Sequence, residues 1–265
     1  MNNRNYYNAV GSYYDQDAND FDVRYWQNPV LQQIRQCFRE KVKQFNANTM
    51  LEIGCGTGLD LVHFGKTHPE REIYGIDVSV EMVRISQTKI DASGCTNITV
   101  KTGIVDDIVA LFPNKKFDLI YVFFGALNTV EDLEAAALKL TDVLTTDGVM
   151  VLSFVNKWYL GGMIIELARF RFKRAFSRLK PTWTGYSPVK YLPSHCYSPK
   201  QIKKAFKALK PTEITGFTII HPAWYYTQIN KRLGKLRRLL WRLDQFLNKT
   251  PLKVCGEYTL FVFQR

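Results

Sequence analysis

The first 155 residues alternate short apolar runs with segments whose apolar positions recur every three or four residues. Short apolar runs between turn residues are typical of strands, and the longer spacing is typical of amphipathic helices. The predicted strands are 50–53, 72–76, 98–101, 117–123 and 149–154, and the predicted helices are 29–45, 59–66, 80–90 and 132–144. Strands that alternate with helices predict a parallel sheet covered on both faces.

This rhythm breaks after Asn156. Residues 157–197 are basic and aromatic with proline and glycine punctuation, so we interpret them as an insertion between elements of the sheet. Ser198-Pro199 then supplies an N-cap and a first-turn proline for another helix. The remaining predicted elements are a helix over 198–209, a strand over 214–220, a basic helix over 229–247 and a final strand over 257–263.

The composition fits a folded globular chain. With 265 residues, of which 46% are hydrophobic, the chain can bury a full core. It contains no apolar run near the roughly 18 residues that cross a bilayer, and its first residues lack the apolar core of a signal peptide. The five cysteines are scattered without a Cys-x-x-Cys pair. We therefore expect a cytoplasmic protein with free thiols and no bound metal.

Charge is distributed unevenly along the chain. Residues 1–156 contain 14 basic and 20 acidic residues, whereas residues 157–265 contain 22 basic and four acidic ones, a net charge of +18. Such asymmetry predicts that the C-terminal part faces a negative partner. Phosphate, nucleic acid, an acidic carrier protein and a membrane surface all remain open at this point.

A glycine-rich turn carries the strongest chemical signal. In the run Leu51-Glu52-Ile53-Gly54-Cys55-Gly56-Thr57-Gly58, an apolar strand ends and a helix begins. Glycine permits positive φ and close approach of a ligand, and the helix N-terminus offers free N–H groups. A dinucleotide site would have its third glycine at Leu59, and Glu52 would repel a pyrophosphate but could receive an ammonium group. The turn alone is weak evidence, but its spacing and Glu52 favour a sulfonium amino acid over a dinucleotide, with Glu52, Gly54, Cys55, Gly56 and Gly58 as the candidate ligands.

Polar residues follow the next strands in the same way. Asp77 ends the second strand, 19 residues after Gly58, where a carboxylate can accept hydrogen bonds from both ribose hydroxyls; helix capping is the alternative. Val78 and Met82 would flank the adenine. In the turn after the third strand, Asp106 is the candidate for the adenine amino group, with solvent exposure as the alternative. The predicted cofactor residues of this part are Asp77, Val78, Met82, Val105 and Asp106, with Phe123 at the end of the fourth strand beside the reactive methyl.

In this order, the residues resemble the class I S-adenosylmethionine-dependent methyltransferase family of the small-molecule type. The resemblance extends over residues 47–155 and includes the strand Phe117-Asp118-Leu119-Ile120 and the turn Thr146-Asp147-Gly148-Val149. The sequence departs from the family at Asp147, which replaces the first of two glycines. It departs again at Ile104, where the adenine turn often has Asp.

The resemblance implies a Rossmann-like α/β fold: a seven-stranded, mostly parallel sheet with an antiparallel last strand, and a helical, aromatic insertion after the fifth strand. It also implies that S-adenosylmethionine is the cofactor. The segment Ser12-Tyr13-Tyr14-Asp15 resembles one that closes over the cofactor in many members, so Tyr14 is expected at the methionine end. The expected units are an N-terminal helical cap (1–46), the cofactor-binding core (47–156), an inserted substrate cap (157–197) and a C-terminal completion of the sheet (198–265).

The acceptor is less defined than the cofactor. A sulfonium already makes its methyl group electrophilic, so the protein must mainly align a nucleophile and exclude water. A hydroxyl would need a general base, for which His195 and His221 are the candidates; a surface or structural role is the alternative for both. The Asn/Asp-Pro-Pro-Tyr motif of amino-methylating nucleic-acid enzymes is absent after the fourth strand. We therefore favour methylation of a small or amphipathic, lipid-like acceptor at oxygen; RNA methylation and a non-catalytic cofactor-binding module are the alternatives.

Two basic amphipathic segments give the C-terminal part a further possible role. They span 159–179 and 229–247, and both place cations beside apolar positions at helical spacing. Each stripe could pack on its own domain, with its charges solvated. The functional interpretation is peripheral contact with anionic lipid or an acidic carrier protein.

Overall fold

The computed structural model describes residues 3–183, 192 and 194–265. Its centre is a seven-stranded sheet with the strand order β3-β2-β1-β4-β5-β7-β6. The strands are β1 Thr49–Ile53, β2 Glu72–Asp77, β3 Ile98–Thr102, β4 Phe117–Val122, β5 Leu144–Val155, β6 Lys210–Phe217 and β7 Tyr258–Gln264. Strand β7 runs antiparallel to both of its neighbours, and the pairs from β3 to β5 are parallel. The predicted fold class is therefore confirmed.

Helices cover both faces of this sheet. They are α1 Asn3–Trp26, α2 Pro29–Val42, α3 Leu59–Thr67, α4 Val80–Ser93, α5 Ile108–Leu111, α6 Leu133–Val143, α7 Leu160–Ala168, α8 Phe172–Ala175, α9 Pro199–Ala205, α10 Thr227–Leu233 and α11 Leu236–Leu247. Because side chains alternate across a strand, Met50 packs under α2 and α3 while its neighbour Leu51 packs under α6. Two apolar layers result, one on each face.

Several helices begin where the sequence supplies a cap. Asn28, which precedes Pro29, accepts hydrogen bonds from the N–H groups of Val30 and Leu31. Ser79 accepts a hydrogen bond from Met82 N at 3.1 Å. Ser198 forms a capping box with Gln201, as the Ser198-Pro199 signal predicts. These side chains satisfy N–H groups that the first helical turn leaves without partners.

Several predicted elements have other bounds in the structure: strand β5, for example, begins at Leu144 rather than at residue 149, and two elements of the C-terminal part differ further. The predicted helix over 229–247 is interrupted at Gly234, whose φ of 48° and ψ of −121° lie outside the helical region, because glycine is a poor helix former. The predicted strand over 214–220 instead ends at Phe217, since Thr218 has a positive φ of 54°. Strand β6 begins earlier than predicted, at Lys210.

The insertion after β5 is tied to the sheet by buried polar groups. The Arg178 guanidinium donates to the carbonyl oxygen of Asn156 at 3.1 Å and lies 3.5 Å from the Glu257 carboxylate. Asn128 bonds to both backbone groups of Val155 and to the carbonyl oxygen of His195. Both ends of the described insertion are therefore fixed; residues 184–191 and 193 of the predicted cap lie outside the described residues. Within the described part of the chain, no helix is long and apolar enough to cross a bilayer.

Candidate active site

The glycine-rich turn between β1 and α3 folds as its sequence requires. Gly54, Gly56 and Gly58 all have positive φ, between 53° and 76°. A Cβ on Gly54 would lie 2.3 Å from the Ala126 Cβ, so only glycine fits there. The N–H groups of Gly54 and Cys55 donate to the carbonyl oxygen of Ile76 at 2.8 and 3.1 Å. The turn is thereby held against the end of β2.

Asp77 lies in the same cavity as the turn. Its carboxylate accepts from Gly56 N at 2.8 Å and from Ser79 N at 2.9 Å. Burial raises the pKa of Asp77 to about 6, although the two N–H groups act in the opposite direction. Val78 and Met82 line the cavity beside it. The arrangement leaves a carboxylate at the cavity wall, as a ribose ligand requires.

A buried ionic cluster forms the other end of the cavity. Glu52 is 2% exposed and accepts from the Tyr121 hydroxyl at 3.2 Å. Its carboxyl pKa is raised well above its usual value by burial and by Asp60, with Arg35 acting in the opposite direction. The Asp60 carboxylate forms ion pairs with both Arg35 and Arg39. Of the two arginines, only Arg35 lines the cavity.

Helix α1 forms one wall of the cavity, and Tyr14 is among its lining residues. Asp15 accepts from Ser79 Oγ at 2.6 Å and from Glu81 N at 3.1 Å. Asp22 accepts from Thr57 Oγ1 at 2.5 Å and forms an ion pair with Lys89. Two carboxylates therefore dock α1 on the turns that follow β1 and β2.

Two of the predicted cofactor ligands lie outside the cavity. Asp106 forms an ion pair of 2.7 Å with Lys139, so its expected contact with the adenine is not supported; Ile104 and Val105 line the cavity instead. Gly58 faces α4, where an added Cβ would lie 2.2 Å from Ser86 Oγ. Its role is close packing of helix on helix.

The predicted histidines are also elsewhere. His195 Nδ1 lies 2.8 Å from the carbonyl oxygen of Pro181, and His221 Nδ1 lies 2.8 Å from that of Pro222. His221 is fully buried against Trp241, and burial lowers its pKa. Neither ring lines the cavity, because His195 lies near the end of the insertion and His221 packs under α11. Their proposed role as general bases is not supported.

Part of the cavity lining consists of aromatic and apolar residues that the sequence did not single out. Next to the predicted Phe123 lies Phe124, whose positive φ of 53° turns its ring toward Arg35, 4.8 Å from the guanidinium. The other members of this aromatic and apolar wall are Tyr25, Leu31, Trp224 and Tyr258. They come from α1, α2, β7 and the segment that follows β6, so their proximity depends on tertiary structure. The only local signal was a charged residue, Arg35, inside the apolar stripe of α2.

The residues present fit S-adenosylmethionine. Tyr14, Glu52, Gly54, Cys55, Gly56, Asp77, Val78, Met82, Val105 and Phe123 all line one cavity. A carboxylate for the ribose, a second carboxylate for an ammonium group and a glycine-rich turn that allows close approach match that cofactor. When bound, it would supply a methyl group on a sulfonium.

Comparisons with known proteins agree with this geometry. Residues 50–148 match the family described as a methyltransferase domain. The chain is 26% identical to an uncharacterised protein of Methanocaldococcus jannaschii, over 97% of this chain and 91% of that one. It is 29% identical to the ubiquinone/menaquinone biosynthesis C-methyltransferase of Geotalea daltonii, over 58% of this chain, and spans 65% of that relative's length.

Solved structures show the same fold. The [4+2]-cyclase SpnF superposes with a TM-score of 0.63 at 15% identity, covering 97% of this chain and 94% of that chain. A SAM-dependent methyltransferase from Aquifex aeolicus superposes with a TM-score of 0.50 at 15% identity, covering 85% and 88%. The fold and the site thus define a Rossmann-like protein that binds S-adenosylmethionine. Residues 50–148 of the chain form a methyltransferase domain, in the Rossmann-like fold of the class I S-adenosylmethionine-dependent methyltransferases.

Proposed function

We propose that this methyltransferase acts on an oxygen atom of a small or amphipathic acceptor that is largely apolar and carries one acidic hydroxyl or carboxyl group. The observation that carries this proposal is the pairing of an aromatic wall with one buried cation, Arg35, on the acceptor side of the cavity. The wall suits an apolar body. The cation suits an anionic oxygen.

Arg35 has capacity left for such a group. Its guanidinium is 4.5 Å from the Tyr25 ring and 4.8 Å from the Phe124 ring, and its Nη1 bonds to Asp60. Its Nε is buried and has no hydrogen-bond partner within the described residues. A buried donor without a partner is costly, so an acceptor oxygen that reached it would be favoured.

With Arg35 beside the acceptor oxygen, the reaction does not need a general base. All four histidines are described, and none lines the cavity. A cation near an acidic hydroxyl lowers the pKa of that hydroxyl and favours the oxyanion. The protein's remaining tasks are then to align the oxygen with the methyl group and to exclude water, which α1 and the aromatic wall can do.

The relatives support more than one acceptor. One segment is 37% identical to a malonyl-[acyl-carrier protein] O-methyltransferase of Ilyobacter polytropus, over 30% of this chain. Another is 26% identical to a tRNA (guanine-N(7)-)-methyltransferase of Clostridium acetobutylicum, over 38% of this chain. The similarity to the tRNA methyltransferase and the basic C-terminal part together make RNA methylation the alternative function. A module that binds the cofactor without catalysis is the other alternative.

The test combines an acceptor panel with a matched pair of variants. Radiolabelled cofactor is incubated with phenols, fatty acids, amines and a generic RNA. Label is expected on the phenols or acids, and release of label in base identifies methyl esters. Arg35→Met should abolish transfer, whereas Arg39→Met, which removes the other cation on Asp60, should retain it. Transfer to amines or RNA alone would contradict the proposal, and loss of S-adenosylhomocysteine binding in Arg35→Met would assign Arg35 to the cofactor instead.

A further inference from the structure

The C-terminal part of the chain has almost no acidic surface. Of its four acidic residues, Glu166, Asp244 and Glu257 are buried. Asp244 accepts from the N–H groups of Ile219, Ile220 and His221, and Glu257 pairs with Arg178. Only Glu213 is exposed, and it pairs with Lys41. The surface charge of this part is therefore cationic almost throughout.

Helix α11 combines this charge with exposed apolar side chains. Leu236, Leu239, Leu243 and Phe246, spaced by three, four and three residues, are 40–63% exposed and share one side of the helix. Arg238 and Arg242 are exposed beside them. The opposite side holds Trp241 against the core and the buried Asp244. Because Asp244 fixes the helix to the end of β6, its apolar side is held outward.

A second segment of the same kind follows α7. Phe170, Phe172 and Phe176 are 47–82% exposed, among the exposed cations Arg169, Arg171, Lys173 and Arg174. Ile165 of α7 and Ile229 of α10 both pack against the buried cluster of Tyr159, Ala223 and Tyr226. The two basic segments that the sequence separates by some 50 residues are thus neighbours. We call the exposed surface of α7, α8, α10 and α11 the basic face.

We propose that the basic face docks on an anionic lipid surface, with the exposed Leu and Phe side chains in the headgroup layer and the arginines on the lipid phosphates. A helix with an apolar side flanked by cations is the form that lies in a membrane interface. Each cation near an anionic leaflet adds attraction. RNA would use the cations and leave the leucines exposed to water.

The basic face is connected to the acceptor side of the cavity. Trp224 lines the cavity, its ring lies 5.6 Å from that of Tyr225, and the Tyr225 ring lies 4.7 Å from that of Tyr226. Tyr226 is the N-cap residue of α10, and its ring lies 5.5 Å from the Arg169 guanidinium. Docking would therefore place a continuous aromatic path between the membrane and the cavity. The docking itself does not depend on the acceptor proposed above.

The test is co-sedimentation of the full chain with vesicles. Mixed phosphatidylglycerol and phosphatidylcholine vesicles are compared with pure phosphatidylcholine, and binding is expected only to the former. Arg238→Glu/Arg242→Glu should weaken it at least about tenfold, and so should Leu239→Gln/Phe246→Gln. The control Lys66→Glu/Lys207→Glu makes the same change in net charge at two exposed lysines outside the basic face and should stay within about twofold of the wild type.

Each result supports or overturns the proposal. Absence of vesicle binding by the wild type overturns it, as does an equal loss in the control or no loss in the leucine–phenylalanine variant. Submicromolar binding of a generic single-stranded RNA at physiological salt, or of an acidic carrier protein, without vesicle binding would assign the face to that partner instead. S-adenosylhomocysteine binding is measured for every variant, so a folding defect or a failure of the cofactor site is recognised separately.

Discussion

The backbone N–H of Gly56 donates a hydrogen bond of 2.8 Å to Asp77 Oδ2. This bond joins the glycine turn to the predicted ribose ligand within the protein itself. The turn and the carboxylate are therefore held in place together, and a change in Asp77 alters both.

We expect Asp77→Ala to weaken S-adenosylhomocysteine binding by about 1–3 kcal/mol, because hydrogen bonds to a charged group are lost. Isothermal calorimetry measures this directly. Asp91→Ala, at the far end of α4, is the matched control and should bind normally. Tight binding of NAD by the wild type, with no response to S-adenosylhomocysteine, would contradict the cofactor assignment.

Cofactor binding should depend on pH through the same residue. Burial raises the pKa of Asp77 to about 6, and the carboxylate form is the one that accepts from hydroxyls. Affinity should therefore be constant above about pH 7 and fall as the pH drops below 6, by up to about tenfold per unit. Calorimetry across pH 5–8 checks this. The pH dependence should disappear in Asp77→Asn; if it persisted there, another group would be responsible.

The docking of α1 should control cofactor release. Asp15 and Asp22 are its contacts with the turns after β2 and β1. Asp15→Ala/Asp22→Ala should speed dissociation of S-adenosylhomocysteine and increase amide exchange in α1. Stopped-flow release and hydrogen exchange are the measurements. Asp20→Ala, an exposed position on the same helix, is the control. Unchanged release in the double variant would show that α1 does not act as a lid.

Arg178 should be a major contributor to stability. It is 6% exposed and pairs with the buried Glu257, so Arg178→Leu should lower the free energy of unfolding by about 3–5 kcal/mol. Urea unfolding measures this. Glu257→Gln in the same chain should recover part of the loss, since the unpaired carboxylate is then gone. If it recovered nothing, the cost would come from lost packing of Arg178 on the rings of Tyr159 and Trp183, which lie 5.0 and 4.7 Å from its guanidinium.

The loss in Arg178→Leu should also grow with pH. Burial raises the pKa of Glu257 to about 7 even beside Arg178, so this carboxyl is mostly protonated at pH 5 and the absence of Arg178 matters less there. At pH 8 the wild type holds an ion pair. The variant must instead bury an unpaired Glu257 carboxylate or protonate it. The difference in unfolding free energy should therefore be larger at pH 8 than at pH 5.

The role of the insertion as a substrate cap stays a prediction. None of its described residues lines the cavity. Shortening the segment within 184–191 should reduce turnover while leaving cofactor affinity nearly unchanged. Loss of cofactor binding together with turnover would show a structural role.

Local patterns account for the elements and the cofactor side of the site. The glycine turn, Glu52 and Asp77 lie at the carboxyl ends of strands, and parallel pairing brings such ends together whatever the rest of the chain does. The contact of Asp106 with the adenine stays a prediction, and its ion pair with Lys139 is not visible in a local pattern. The aromatic and apolar wall of the cavity was not predicted from the sequence, because Tyr25, Phe124, Trp224 and Tyr258 meet only in the folded chain. The interruption at Gly234 had a local signal, since glycine weakens a helix.

The strand order has an electrical consequence. The acidic part of the chain forms the end of the sheet with β3 and β2, and the cationic part forms the end with β7 and β6. A molecule with its charges separated in this way has a large dipole moment, so the field of an anionic surface exerts a torque on it before contact. Approach with the cationic end first would then be favoured, and the association rate should decline as salt shortens the range of that field.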